Sequence, residues 1–159
     1  MTSLDLPLMR RRDRAITDPQ ILEAIIRQCQ VCRVGMCRGD QPYVVPLNFG
    51  YENRRIYCHS ARTGFKLDIL ANNPRVCVLF DLDHKLLSTP SPDGWTMHYR
   101  SVMAYGKAEL VSSPEEKQGA FDIIFRHLAG RTYPLTEQML KGVSIIRIEI
   151  ELMTGKENC

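Results

Sequence analysis

The chain has 159 residues, 44% of them hydrophobic and 25% charged, with a formal net charge of +3. Those values fit a single soluble globular domain over 1–159, and the charge is too weakly basic to argue for nucleic acid. No apolar run approaches membrane-spanning length, and MTSLDLPLMRRRDR has no apolar core behind its charges; neither a membrane segment nor a secretory signal is expected, and the expected location is the cytoplasm.

Residues 1–17 read as an N-terminal arm. Asp18 and Pro19 then open a helix as N-cap and N1, and Ile21, Leu22, Ile25, Ile26 and Cys29 recur at helical spacing. Val31 to Arg38 reads as a strand, Gly39-Asp40 as a turn, and Pro42 to Tyr51 as the next strand. Pro46 cannot donate to a ladder, so it marks an edge, a bulge or a surface facing a ligand. After a turn at Glu52 to Arg54, Arg55 to His59 returns as a strand and leads into a short helix from Thr63 to Ala71. Arg75 to Asp83 alternates as a strand, and His84 to Trp95, with Pro90, Pro92 and Gly94, reads as a loop. Thr96 to Val111 is a long strand with a bend expected near Gly106. Ser113-Pro114-Glu115-Glu116 is a capping box whose helix ends at Gly130. Leu135 to Leu140 reads as a further helical turn or two. Val143 to Leu152 alternates most clearly, with Ile146, Ile148, Ile150 and Leu152 on one face. About six strands joined by short turns, with two or three peripheral helices, predict a mainly β antiparallel barrel.

The corner between the strand ending at His59-Ser60 and the helix carrying Lys66 concentrates the chemistry. A cation in the first turn opposes the helix macrodipole. A phosphate dianion there would reverse the local field, with Gly64 admitting close backbone approach and Ser60 or Thr63 donating to an oxygen. The competing reading is an exposed lysine with no partner, and the residues alone do not choose between them. His59 suits a phosphate, a ring edge or proton transfer, against the alternative of a strand-end histidine satisfied by backbone. On the long strand, Tyr99-Arg100-Ser101 offers either face to a ligand. His84, His98 and His127 have no pattern around them.

Six cysteines are present. Without an export signal, reduced thiols are expected. Cys29 and Cys32 form one CxxC, which lacks the second half of a zinc quartet, so buried inert thiols are expected and no metal. The sequence has no GxGxxG, GxxxxGK[ST] or GxSxG, which removes the usual nucleotide loops and the nucleophile elbow.

The segments MRRRDR, QPYVVPLNFGYE, IYCHSARTGFKLDIL, NNPRVCVLFD, YRSVMAYGKAELV and IEIELMTGK, in this order and spacing, resemble the 5-nitroimidazole resistance (Nim) branch of pyridoxamine 5'-phosphate oxidase-like proteins, from about Met9 to Lys156. The resemblance implies a split β-barrel that binds FMN as a homodimer, with the flavin at the interface and a small-molecule substrate. On matching positions, Val45, Pro46, Leu47 and Asn48 would border the isoalloxazine. His59, Ser60 and Lys66 would lie along the ribityl phosphate, with His59 as the catalytic candidate. Tyr99, Arg100 and Ser101 would complete the pocket from the second subunit. The C-terminal EIELMTGKENC shows no basic set comparable to the one that holds the substrate phosphate in true pyridoxamine 5'-phosphate oxidases, so the expected activity is a nitroreductase-like FMN-dependent oxidoreduction and not vitamin oxidation. The alternative is a flavin- or haem-binding barrel without turnover, with a histidine, Met97 or Met103 as axial ligand. The third, a nucleic-acid regulator using Arg10 to Arg14, is opposed by the weak net charge.

Overall fold

A computed structural model describes residues 9–158. Of the segment 1–17, residues 1–8 lie outside the described residues, as does Cys159. Within 12–16 a short 3-10 turn leads into β1 (Ala15–Ile16), which pairs with the end of the last strand through Ala15↔Lys156 and Ile16↔Gly155. Four α-helices follow among the described residues: α1 (Pro19–Gln28), α2 (Phe65–Asn72), α3 (Pro114–Ala129) and α4 (Glu137–Lys141). The remaining strands are β2 (Val31–Arg38), β3 (Gln41–Asn48), β4 (Gly50–Glu52), β5 (Arg55–Ala61), β6 (Arg75–Leu87), β7 (Thr96–Val111) and β8 (Val143–Asn158). Six of the eight strands are long, matching the expected six; β1 and β4 are short additions.

The sheet runs β3-β2-β6-β7-β8-β5-β4 with antiparallel pairs. Its two ends, β3 and β4, are separated in sequence by Phe49 alone. A flat sheet cannot satisfy that connection, so the sheet curls until β3 approaches β5, leaving a split along β3. The fold is therefore mainly β, an antiparallel split barrel with peripheral helices. Local residues set the turns: Gly39 has φ +62°, and Asn53 and Arg54 have φ +50° and +60°, the backbone of a two-residue hairpin that follows the strand twist. The register of β7 against β8 shifts between Tyr105 and Gly106, where a Cβ would collide with the Glu149 carbonyl.

The barrel interior holds Val34, Ile56, Cys58, Val78, Phe80 and Val102, all at most 2% exposed. From α1 come Leu22, Ile25 and Ile26, each stabilising the fold by about 1.5–3 kcal/mol on burial; Ile21, at the same spacing, points to solvent. Asp18 caps this helix by accepting from the Gln20 N–H at 2.8 Å. Cys29 and Cys32 are both buried, and burial pushes the Cys29 thiol up. A second apolar cluster joins Phe121 and Ile124 of α3 to Leu140 and Ile145.

Three stretches of the sheet differ from expectation. The strand expected over Pro42 to Tyr51 breaks at Phe49, whose ring turns inward between Phe80 (5.0 Å) and His127 (4.5 Å). The loop expected from His84 begins only after Leu87, because β6 continues past a bulge to pair Leu86 with Met97. The last strand runs to Asn158 because β1 and the first half of β7 give it partners beyond Leu152.

Candidate functional site

Strand β3 lies on the split, so one row of its backbone groups faces away from β2. Tyr43, Val45 and Leu47 pack inward against the core, while Val44, Pro46 and Asn48 point outward and are exposed. Asn48 Nδ2 donates to the Gln30 carbonyl at 3.3 Å. The expected ring-binding strand thus presents two faces: Val45 and Leu47 line the inside, Pro46 and Asn48 the outside.

On β5 the alternation separates the two residues expected to act together. Ser60 is 5% exposed on the inner face with Cys58 and Ile56, whereas His59 is exposed on the outer face, its ring 6.0 Å from Phe121 of α3. The expectation that imidazole and hydroxyl meet at one point is corrected accordingly: neighbours on a strand face opposite ways. The Ser60 hydroxyl has no hydrogen-bond partner among the described residues. A buried hydroxyl left unpaired costs about 1–3 kcal/mol.

Four residues on, Gly64 takes φ +140° and ψ 163° and stands at the N-cap of α2. The helix therefore starts at Phe65, two residues after its expected start. The N–H groups of Leu67 and Asp68 both turn back to the Gly64 carbonyl, at 2.9 and 3.2 Å. No side chain caps this end, in contrast to Asp18, Ser113 and Thr136 at the other three helices. The N–H groups of Phe65 and Lys66 remain without helical acceptors. Lys66 is half-buried at N2. Lys107 and Lys141 pair with Glu151 and Glu137, and Lys117 bonds two carbonyls, whereas among the described residues Lys66, like Lys85 and Lys156, has no such partner. Tyr43 and Phe65, unnoticed in the sequence, clamp this corner to β3 edge-to-face at 5.1 Å, with the Arg38 guanidinium 5.5 Å over the Phe65 ring. Their positions on two elements gave no local signal; a tertiary contact alone joins them.

The fold thus brings β3 alongside β5 and, through Tyr43 and Phe65, alongside the start of α2, with His59 on the outer face of β5. It does not bring Tyr99, Arg100 and Ser101 there. These lie on β7, three strand spacings of about 4.8 Å from β3. Arg100 donates from Nε to Asp83 Oδ2 at 2.6 Å and from Nη2 to Gln28 Oε1 at 3.4 Å. Ser101 Oγ donates to the Lys156 carbonyl at 3.3 Å, and Tyr99 pairs with Asn158. Between the two groups, Arg33 of β2 forms an ion pair with Asp81 of β6.

Between Ser60 and Lys66 the chain carries a buried hydroxyl without a partner, a lysine without an ion pair and an uncapped helix start, groups whose chemistry suits a phosphate. No helix among the described residues is long and apolar enough to cross a membrane.

Known proteins place this geometry in context. A candidate 5-nitroimidazole antibiotic resistance protein from Bacteroides thetaiotaomicron is 38% identical, with a TM-score of 0.82 over 90% of this chain and 86% of its own. The flavocytochrome Anf3 from Azotobacter vinelandii has a TM-score of 0.84 over 99% of this chain and 75% of its own, at 22% identity, a likeness of fold. Among curated proteins, an uncharacterised protein from Rhizobium meliloti is 35% identical over 54 residues, covering 34% of this chain and 35% of the relative, so the match spans about a third of that protein. The profile described as pyridoxamine 5'-phosphate oxidase matches residues 18–157, nearly the whole barrel, and the chain belongs to that family.

Proposed function

We propose that the protein is an FMN-dependent oxidoreductase that works as a homodimer and reduces small nitroaromatic compounds. The observation that carries this reading is the donor set at the β5–α2 corner: a buried Ser60 hydroxyl without a partner, four residues before an uncapped helix start that carries an unpaired Lys66. FMN ends in a phosphate and presents a flat ring, and this corner adjoins a strand with an open backbone edge. The likeness to the nitroimidazole resistance protein supports a nitro compound as substrate, and the flavocytochrome likeness supports a flavin as cofactor.

When bound, FMN supplies the two-electron carrier. In this reading Lys66, Ser60 and the Phe65 and Lys66 N–H groups hold its phosphate. Val45 to Asn48 lie along the ring, with Pro46 withholding one N–H from the edge. His59, exposed beside Phe121, delivers a proton to the substrate. Tyr99, Arg100 and Ser101 sit three strands from β3, so a role for them at the same ligand requires a second copy of the chain. Of the three histidines in the haem alternative, His127 Nε2 is engaged at 2.7 Å by the Cys29 carbonyl and His84 by Asp81 at 3.0 Å, which leaves His98 as the histidine that alternative would use. Two measurements test the proposal. The small molecule released on denaturing the purified protein should have the mass of FMN. The flavin-loaded dimer with a chemical reductant should then turn over 2-methyl-5-nitroimidazole; a loaded dimer with no turnover contradicts the activity.

A further inference from the structure

A cavity of about 350 Å³ opens on the outer face of the sheet between β3, β2, β6 and β7, within the size range of small-molecule sites. Its floor is bare backbone at Gly35, where a Cβ would press on the Cys77 carbonyl at 3.2 Å, and at the Gly106 bulge. Tyr43, Val44 and Cys77 form its walls. Asn73, the C-cap of α2, also lines it.

Its polar groups are donors in want of acceptors. The half-buried Tyr105 hydroxyl has sulfur for company: Met103 Sδ at 3.8 Å and the Cys77 thiol. Sulfur is a weak acceptor. Burial pushes the Tyr105 pKa up, so the phenol keeps its proton and remains a donor. At the rim, the Arg75 guanidinium has no partner among the described residues; only its backbone N–H is engaged, by Asn73 Oδ1 at 3.2 Å. The other end of Asn73 is spent on the Cys37 carbonyl at 3.3 Å. The lining contains no carboxylate. An apolar slot with a bare floor, a phenol donor and one cation selects a flat molecule with acceptor oxygens and repels a cation.

We propose that this cavity binds flat aromatic molecules carrying nitro, carboxylate or carbonyl oxygens, with Arg75 and Tyr105 as the donors. The proposal stands on the cavity alone and is independent of the reading of the preceding subsection. Equilibrium dialysis of the full chain, with and without FMN, against 4-nitrobenzoate and the cationic 4-nitrobenzylamine tests it. The carboxylate should bind about tenfold more tightly, the scale of one charge-assisted hydrogen bond. Arg75→Gln should abolish that preference, and Val44→Trp should block both probes; both side chains are exposed, so folding is not at stake. FMN affinity of both variants should stay within about twofold of the parent, since neither touches the phosphate corner. Nitrobenzoate binding indifferent to Arg75→Gln and Val44→Trp overturns the proposal. FMN titration of the same preparations separates the two readings: Arg75-dependent probe binding without FMN binding supports the cavity and sinks the flavin reading, whereas FMN binding without Arg75 dependence does the reverse.

Discussion

The starts of α3 and α2 solve the same problem in opposite ways. At α3, Ser113 Oγ accepts from the Glu116 N–H at 3.1 Å, Pro114 removes a donor that would go unused, and Glu115 and Glu116 complement the positive end of the helix. The nearby Lys117 Nζ is bonded to the Leu140 and Val143 carbonyls at 3.2 and 2.9 Å. At α2 there is a glycine without a cap, a lysine where the macrodipole disfavours it, and a buried serine hydroxyl just upstream with nothing to bond. One end is closed by its own side chains; the other keeps its donors open. Both belong to the same chain, so a general looseness of the fold does not account for the contrast.

Substitutions break the contrast in order of effect. Lys66→Ala should weaken FMN binding by about 1.5–3 kcal/mol, roughly ten- to a hundredfold in Kd by flavin titration, while the thermal midpoint of the unliganded chain holds or rises. Gly64→Val forces a β-branched residue into a backbone region reserved for glycine, so about 1–3 kcal/mol of stability should be lost in denaturant unfolding. Ser60→Ala is the sharpest comparison, because its two effects have opposite signs. Removing an unpaired buried hydroxyl should leave the unliganded protein as stable or up to about 1 kcal/mol more stable, yet FMN should bind several-fold more weakly. Ser113→Ala should cost about 1 kcal/mol of stability and leave FMN affinity untouched, the mirror image of Lys66→Ala.

Much of this fold was legible locally. Strand β2 and strand β7 run over the residues that alternation and flanking turn signals indicate, and α3 begins at its capping box and ends at Gly130, whose φ of +70° needs glycine. The bend at Gly106 was legible from the glycine as well, here because a Cβ would collide with the Glu149 carbonyl. Phe49 was not, because what breaks the strand there is packing between Phe80 and His127, residues distant in sequence. The full length of β8 also depends on partners from β1 and β7.

The site was legible as a list of chemical groups and less so as an arrangement. Lys66 in a first helical turn broke a local rule, and the structure leaves it unpaired among the described residues. His59 and Ser60 stand next to each other in sequence, and the strand places them back to back. Nothing local marked Tyr43 and Phe65, whose contact ties the helix start to β3. The separation of Arg100 from β3 follows from strand order, which depends on how the whole sheet closes.

The central claim is that the β5–α2 corner holds the terminal phosphate of a flavin. Comparing the affinities of FMN and riboflavin, which differ only in that phosphate, tests it most directly, in the parent protein and in Lys66→Ala. A gap of about a hundredfold or more in the parent, shrinking by about tenfold or more in the variant, is the predicted result. Equal affinity for the two ligands in the parent, or a gap that survives Lys66→Ala intact, would contradict it.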